Sequence, residues 1–282
     1  MIVAGIVLYN PDKDLLIQNI NAVISQIDYL VLVDNASTIT MGWLDVYMAG
    51  KNINVIRNDS NMGIAFALNQ IMQYGVNQNA EWVLTLDQDS ICPPDLIELY
   101  MPYTQLNDVA ILSPAIKDRN NDSDFIESKE GITEIRRCIT SASFNNVAVW
   151  KAIGGFNNNL FIDYVDFEYC CRAREFGYKI FRVNNAILLH RLGNMRTHEI
   201  PNKTIHVTNH SATRKYYYSR NACCCHRWHK KEYPLNKLAY HLLALTVKTI
   251  LFEDGRIKKL RSIVKGIMDS KDVAQVKIQE IG

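Results

Sequence analysis

The clearest chemistry in this chain is carried by Asp87-Gln88-Asp89, which follows the apolar run Trp82-Val83-Leu84-Thr85-Leu86. In an extended chain, Asp87 and Asp89 point to the same side. Hard cations such as Mg2+ and Mn2+ favour carboxylate oxygens, so this spacing predicts a divalent-cation site at the end of a buried strand. The alternative is an acidic turn, because Asp and Ser are common turn residues.

The first hundred residues alternate apolar, strand-like runs with helical stretches. They predict strands at 2–9, 29–33, 53–56 and 82–86, and helices at about 12–26 and 62–74. Such alternation is typical of a parallel sheet covered on both faces, in which ligands bind beyond the carboxyl ends of the strands. Asp34, Asn58 and Asp87 fall at three of these ends. A binding site is therefore predicted along that edge.

The rest of the chain is predicted to complete this α/β domain and to add a helical segment. The pattern predicts helices at 94–106, 147–151 and 165–176, strands at 109–112, 137–142, 180–183 and 186–189, a loop or exposed hairpin at 117–131, and helical structure from His210 to Met268. We expect a catalytic α/β domain at 1–209 and a C-terminal helical segment at 210–282.

Composition limits the class of protein. The chain has 282 residues, of which 48% are hydrophobic and 21% charged, with a net charge of +2. These values are typical of a soluble globular protein and give no indication of a nucleic-acid partner. No signal peptide or membrane-spanning run is evident, and adjacent cysteines (170–171 and 223–225) suit reduced thiols. We expect a cytoplasmic protein.

Several short motifs, in this order and spacing, resemble the family 2 glycosyltransferases with a GT-A fold. Within that family the chain most resembles bacterial rhamnosyltransferases of polysaccharide and O-antigen assembly, from Val3 to about Asp269. The motifs are Leu8-Tyr9-Asn10-Pro11, Val33-Asp34-Asn35-Ala36-Ser37, Asn61-Met62-Gly63-Ile64-Ala65 with Asn69, Asp87-Gln88-Asp89, Leu160-Phe161-Ile162-Asp163-Tyr164-Val165-Asp166-Phe167-Glu168, and His190-Arg191-Leu192-Gly193.

The resemblance implies a nucleotide-sugar donor site. Asp34 is expected to accept a hydrogen bond from the N3–H of uracil or thymine, although an Asx-turn is the alternative. The helix after Gly63 is expected to direct amide groups at the ribose or diphosphate, unless Gly63 only makes a turn. Asp87 and Asp89 are expected to hold Mg2+ or Mn2+ on the diphosphate, with the metal acting as a Lewis acid. Further nucleotide contacts are assigned to Tyr9, Asn10, Asn61 and Gln88, and a further metal or phosphate contact to His190.

The acceptor side is expected around the acidic stretch 163–168. Asp166 matches the catalytic base of the family, whereas Val165 stands where the family has a first acid. Asp163 and Glu168 are competing candidates for the acceptor or a phosphate, and acids at a helix start are favoured regardless of catalysis. Arg172 is expected to brace Asp166 or Glu168. Arg220 is a candidate phosphate contact, although an arginine on a helix face is commonly solvated.

Together these assignments predict an inverting, metal-dependent transferase. It would move a sugar, L-rhamnose by resemblance, from a dTDP- or UDP-linked donor to a bacterial glycan or lipid-linked acceptor. Another hexose or a furanose is an alternative, and so is a non-catalytic carbohydrate-binding protein. A nucleotidyltransferase would need a glycine-rich, basic phosphate loop after the first strand, where the chain has Leu8-Tyr9-Asn10-Pro11-Asp12.

Two features of the C-terminal segment remain open to more than one interpretation. In the stretch from Arg256 to Lys265, apolar residues recur at helical spacing among cations. It suits either peripheral contact with the inner face of the cytoplasmic membrane or packing on the catalytic domain, and the segment also offers a homodimer surface. Cys223-Cys224-Cys225-His226 with His229 suggests zinc, but consecutive cysteines diverge around a helix, which favours simple packing.

Overall fold

The computed structural model describes residues 1–118, 130–190, 196–200 and 203–276. For residues 118, 190, 196–200 and 203–206 it describes the backbone alone. Most of the predicted loop at 117–131 and the motif residues 191–193 therefore lie outside the described residues.

The strands and helices of the described residues follow one another along most of the chain. The strands are β1 (Ile2–Leu8), β2 (Tyr29–Asp34), β3 (Ile53–Arg57), β4 (Trp82–Asp87), β5 (Val109–Asp118), β6 (Ile132–Glu134), β7 (Ser143–Asn146), β8 (Lys179–His190), β9 (Arg196–Ile200) and β10 (Lys203–Val207). The helices are α1 (Lys13–Val23), α2 (Gly42–Met48), α3 (Ile64–Asn77), α4 (Leu96–Tyr100), α5 (Val147–Ala152), α6 (Val165–Glu175), α7 (Ala212–Trp228), α8 (Leu235–Phe252) and α9 (Arg256–Asp269).

Within the described ranges, β1 to β8 form one sheet in the order β3-β2-β1-β4-β7-β5-β8-β6. Strands β1 to β4 are parallel to one another. Strand β7 runs antiparallel to both β4 and β5, and β5 is parallel to β8. The predicted mainly parallel sheet is confirmed.

Apolar layers cover both faces of the sheet, which explains why its central strands are apolar at nearly every position. One layer packs Leu16, Ile20 and Leu96 of the helices against the strands, and the other packs Leu68 and Ile71 of α3. Gly5 on β1 allows α3 to approach closely, because a Cβ there would lie 2.3 Å from the Ile71 side chain. The predicted helices on both faces are confirmed.

Three predicted elements differ in the structure. The strand predicted at 137–142 is wrong: residues 135–142 form no regular element, and strands lie on either side as β6 and β7. Polar contacts hold this segment instead, since the Thr85 hydroxyl donates to the Thr140 carbonyl (2.6 Å). The helix predicted at 94–106 ends at Tyr100, and a 3-10 turn containing Pro102 follows. The two short strands at 180–189 are one strand, β8, with an irregularity between Val183 and Ile187.

The last three helices pack with α7 at their centre. Gly266 of α9 allows close contact with α7, because a Cβ there would lie 2.4 Å from the Tyr216 carbonyl oxygen. Glu253, between α8 and α9, is buried and bonds the ammonium groups of Lys215 and Lys259. No helix among the described residues has the length and apolar content needed to span a bilayer.

Candidate functional site

Parallel pairing brings the polar strand ends to one edge of the sheet. Asp34 is in register with Leu8 on one side and Arg57 on the other, and Asp87 is in register with Val7. The residues that follow these strands therefore meet along one line. This is the edge at which the sequence predicted a site.

Asp87 and Asp89 sit in a braced turn at the end of β4. The Asn19 amide donates to the Asp87 carbonyl (2.6 Å), and the Asp87 N–H donates to the Ser141 hydroxyl (3.2 Å). Gln88 bridges to β1: its side-chain oxygen accepts from the Tyr9 N–H (2.8 Å), and its amide donates back to the Tyr9 carbonyl (3.3 Å). The side chain of Gln88 thus ties two strand ends together.

Three carboxylates are close enough at this edge to influence one another. Burial raises the pKa of Asp87 to about 7, and the negative charges of Asp89 and Asp166 add to the shift. Like charges held together in this way disfavour ionisation unless a cation compensates them. The acidic stretch of α6 is therefore near the strand-end acids, although it is almost eighty residues away in the chain.

The donor chemistry of Asp87 and Asp89 fits Mg2+ or Mn2+ bound together with a substrate. Within the described residues, no group of three or more His, Cys, Asp or Glu side chains forms a metal cage by itself. Mg2+ is commonly held by one or two carboxylates plus substrate phosphates, and two carboxylates suffice for that mode. His190 ends β8, and its side chain lies outside the described part of the chain.

The expected base-binding corner is built on Asp34 and Asn10. Asp34 is buried, and its Oδ1 accepts the Ser37 N–H (2.9 Å). One carboxylate oxygen therefore makes the predicted turn contact. Asn10 has a positive φ of 48°, accepts the Thr38 N–H (2.7 Å) and donates its own N–H to Ser37 (2.8 Å). Tyr9, which precedes Asn10 in the chain, has an exposed side chain.

The buried amide of Asn35 organises the entry to α3. It donates to Asn61 Oδ1 (3.0 Å) and to the Gly63 carbonyl (3.2 Å), and it accepts the Met62 N–H (3.0 Å). Asn61 in turn accepts the Gly63 N–H (2.9 Å). Sequence reasoning placed Asn35 in a motif but gave it no role; its buried position between two strand ends is visible only in the fold.

Gly63 connects the predicted nucleotide side to the acidic stretch. It has a φ of 85°, and a Cβ there would lie 2.6 Å from the Phe161 carbonyl oxygen. The same oxygen accepts the Ile64 N–H (2.6 Å). The start of α3 therefore packs directly on the loop that precedes α6.

Asp166 opens α6 and lines a cavity of about 410 Å³. Burial raises the pKa of its carboxyl against the opposing hydrogen bond from the Phe167 N–H, and the charge of Asp163 adds to the rise. Four aromatic side chains contribute to the wall, and aromatic faces suit the apolar faces of sugars. The other lining residues are Ile116, Arg137, Cys138, Ile139, Asp163, Tyr164, Phe167, Tyr218, Tyr233 and His241.

Asp163 borders this cavity and a second one of about 380 Å³. It has a positive φ of 63°, and both its carboxylate oxygens accept hydrogen bonds from Arg214 (3.0–3.2 Å). Tyr218 and His241 also line both cavities. The two cavities are therefore neighbours under α7 and α8.

Glu168, predicted as a possible acceptor or phosphate contact, lies in the core instead. It is fully buried and accepts two hydrogen bonds from Arg172 (2.8 and 2.9 Å), with His229 at 3.4 Å. Burial acts to raise the pKa of Glu168, but His229 and Arg172 outweigh it and hold the pKa below its usual value. Arg172 therefore braces Glu168, which was one of the two expected alternatives, and Glu168 does not line the Asp166 cavity.

Arg220 and Asn221 of α7 hold the loop before Asp163. Arg220 donates to the Asn159 carbonyl (2.5 Å) and stacks on the Tyr217 ring, so its guanidinium is engaged with protein in this structure. The buried Asn221 amide lies 2.7–2.9 Å from the carbonyl oxygens of residues 160, 162 and 163. The sequence analysis singled out Arg220, whereas the role of Asn221 in holding this loop is visible only in the fold.

The cysteine cluster packs in the interior. Cys224 and Cys225 are buried on α7, and burial raises the pKa of the Cys225 thiol. His229, the suggested partner of Cys225, is bonded to the carboxylates of Glu168 and Glu175 instead. These contacts explain the cluster as packing.

Comparisons with known proteins agree with this architecture. A sequence model of glycosyl transferase family 2 matches residues 4–174. The chain is 27% identical over 290 residues to the dTDP-rhamnosyl transferase RfbF of Shigella flexneri, covering 96% of this chain and 94% of that protein. It is also 27% identical to the low-salt glycan biosynthesis hexosyltransferase Agl10 of Haloferax volcanii, with 60% of each chain covered.

Solved structures show the same fold at low identity. The crystal structure of S. aureus TarS 1-349 in complex with UDP-GlcNAc has a TM-score of 0.62 at 13% identity, covering 95% of this chain and 81% of that one. GalNAc-T7 with UDP, GalNAc and Mn2+ has a TM-score of 0.64 at 14% identity, covering 96% of this chain and 56% of that one. The sheet with its flanking helices is thus of the GT-A type, and the chain belongs to glycosyl transferase family 2.

Proposed function

We propose that this family 2 glycosyltransferase is an inverting, metal-dependent rhamnosyltransferase. It transfers L-rhamnose from dTDP-rhamnose to a hydroxyl of a bacterial glycan or lipid-linked acceptor. The observation that carries the proposal is the meeting of Asp87, Asp89 and Asp166 at one sheet edge, beside an aromatic cavity. The choice of rhamnose is supported by the likeness to a dTDP-rhamnosyl transferase over 96% of the chain.

In this proposal the donor nucleotide lies along the carboxyl ends of β1, β2 and β4. Asp34 accepts the imide N–H of thymine, while Tyr9, Asn10 and Asn61 border the nucleoside and Gln88 keeps the ends of β1 and β4 together. Asp87 and Asp89 would hold Mg2+ or Mn2+, with a further contact assigned to His190. When bound, the metal neutralises charge on the leaving diphosphate.

The acceptor hydroxyl enters the cavity beside Asp166. The Asp166 carboxylate takes the hydroxyl proton as the oxygen attacks the anomeric carbon. The bond from that carbon to the diphosphate oxygen breaks, its electron pair leaves with dTDP, and a single displacement inverts the configuration. Burial raises the pKa of Asp166, which makes its carboxylate a stronger base than an exposed aspartate.

Donor turnover tests the proposal. Release of dTDP from dTDP-rhamnose is followed by chromatography, with Mn2+ or with EDTA, and UDP-glucose and UDP-galactose serve as competing donors. We expect turnover with dTDP-rhamnose and metal, and a loss of about 100-fold or more in Asp166→Asn, within the range for removal of a general base. Asp14→Asn, an exposed acid on α1, is the matched control and should keep the full rate.

Two results would contradict this function. Turnover by Asp166→Asn at the rate of the parent protein would show that Asp166 is not the catalytic base. Turnover of a UDP-hexose as fast as that of dTDP-rhamnose would contradict the choice of rhamnose. It would still be consistent with the fold and with a nucleotide-sugar donor.

A further inference from the structure

Helix α8 exposes a continuous apolar face. Six large apolar side chains on it are between 41% and 69% exposed: Leu235, Tyr240, Leu243, Val247, Ile250 and Leu251. Their spacing, mainly of three, four and seven residues, places them on one side of the helix. Only Leu238 and Thr249 of this 18-residue helix are buried. We call these six residues the apolar face of α8.

Helix α9 follows after three residues and carries a narrower stripe of the same kind. Ile257, Val264 and Met268 are exposed at spacings of seven and four residues. The exposed cations Lys258, Arg261 and Lys265 are interspersed with this stripe along the helix. An exposed apolar stripe flanked by cations is typical of helices that lie in a membrane interface.

The charge of α8 and α9 favours one of two partners for this surface, a lipid bilayer or a second copy of the chain. From Leu235 to Asp272 there are eight lysines and arginines against four acids, and one of those acids, Glu253, is buried against two lysines. A two-fold contact between identical copies would bring like charges of the two chains together, which is costly. A bilayer that contains anionic lipid offers opposite charge to the cations and hydrocarbon to the apolar side chains.

We propose that the apolar face of α8 and the basic stripe of α9 dock this protein on an anionic lipid bilayer. The helices lie on the surface, with the side chains of the apolar face entering the headgroup and acyl boundary. Both the cations and the apolar side chains contribute, so binding depends on lipid charge and on salt.

The same helix forms part of the wall beside Asp166. His241 of α8 lines both cavities, and its Nδ1 bonds the Tyr233 hydroxyl (2.6 Å), which in turn contacts the Tyr164 hydroxyl (3.0 Å). Docking through α8 would therefore place the acceptor cavity about one helix away from the lipid surface. A sugar acceptor attached to a membrane lipid suits that position; this last step rests on the proposed function, whereas docking itself does not.

Vesicle sedimentation tests the docking. The full chain is mixed with vesicles of phosphatidylcholine alone or with about one third phosphatidylglycerol, at low and high salt. We expect binding to the anionic vesicles that weakens with salt, and a loss of about tenfold in bound fraction for Leu243→Glu with Val247→Glu. Val46→Glu, at a 79% exposed apolar position on α2, is the matched control and should bind as the parent does.

A second pair of variants tests the cations. Lys258→Gln with Arg261→Gln should weaken binding to anionic vesicles and flatten its salt dependence, whereas Lys51→Gln should change neither. Circular dichroism verifies that each variant is folded, and dTDP binding is measured in parallel. If neither the parent nor the folded variants bind dTDP but the vesicle results hold, the proposed function fails and the docking stands.

Three outcomes would overturn the docking. The first is absence of anionic-vesicle binding by the parent protein. The second is unchanged binding by Leu243→Glu with Val247→Glu. The third is a concentration-dependent dimer in sedimentation velocity that this variant abolishes while vesicles have no effect, which would assign the apolar face of α8 to a second copy of the chain.

Discussion

Asp166 and Glu168 both lie in the first turn of α6, yet their surroundings are opposite. Asp166 lines an aromatic cavity near two further aspartates, and burial raises its pKa. Glu168 is enclosed by Arg172 and His229, which hold its pKa below the usual value. Asp166 therefore belongs to an acidic cluster without a bonded cation, whereas Glu168, two residues later, belongs to a cluster in which cations offset its charge. We call these the strand-end cluster and the compensated cluster.

This difference indicates which acids serve function. A buried acid with its own cationic partner contributes to the packing of α6 against α7, and it has no free charge to offer a ligand. A buried acid whose pKa is raised by neighbouring acids, as that of Asp87 is, costs the protein stability when ionised and becomes favourable when a cation or a proton arrives. We therefore propose that the strand-end cluster is the part of the molecule that receives a ligand.

Breaking the compensated cluster should give the largest change in stability. Arg172→Leu leaves Glu168 buried without its main partner, and we expect a loss of about 3–5 kcal/mol in the free energy of unfolding. Asp166→Asn should change it by less than about 1 kcal/mol, because Asp166 has no comparable cationic partner among the described side chains. Urea denaturation followed by circular dichroism measures both. Similar losses of unfolding free energy in the two variants would contradict the difference between the clusters.

Loosening the loop before α6 should have an intermediate effect. Asn221→Ala removes the amide that lies against three carbonyl oxygens before α6, and we expect a loss of about 1–3 kcal/mol in the free energy of unfolding. Turnover should also fall, since the loop carries Asp163 into the cavity, while dTDP affinity should be nearly unchanged. Asn236→Ala, at an exposed site, is the control. A fall in dTDP affinity as large as that in turnover would contradict this positioning role.

Removing one acid from the strand-end cluster should have an effect of opposite sign. The pKa of Asp87 is raised from 3.8 to about 7, so its ionisation costs the protein stability as pH rises through that window. Asp87→Asn should therefore raise the melting temperature at pH 8 by several degrees and have little effect at pH 4.

The same variant should lose metal-dependent dTDP binding. Asp14→Asn is the control for a general change in charge. A melting temperature of Asp87→Asn below that of the parent at pH 8 would show that this carboxylate is compensated in the empty protein, as Glu168 is.

The edge of the sheet was predictable from sequence because parallel strands leave a strong local signal. Apolar runs that end in Asp34 and Asp87 fix both the strands and the place where they meet. The Arg172–Glu168 pair was also predictable from the sequence, because residues four apart on a helix are neighbours. Residues 137–142 were misassigned because a short run of Cys138, Ile139 and Thr140 suggests a strand, whereas long-range bonds to Thr85 and Asp87 shape the segment.

The rest depended on contacts between distant parts of the chain. Asn35 and Asn221 are ordinary polar residues in the sequence, and only the fold shows that they are buried among backbone groups of other segments. Which apolar residues of α8 stay exposed was equally hidden. An apolar residue in a helical pattern is normally assigned to a core, and only the packed structure shows which of them are left outside.

Calorimetric titration of the protein with dTDP, UDP and GDP, each with and without Mn2+, tests the donor-site assignment most directly. We predict metal-dependent binding of dTDP, weaker binding of UDP and none of GDP, and loss of the metal dependence in Asp87→Asn with Asp89→Asn. Binding that ignores Mn2+, or an absence of nucleotide binding under every condition, would contradict the assignment of the strand-end carboxylates as the donor site.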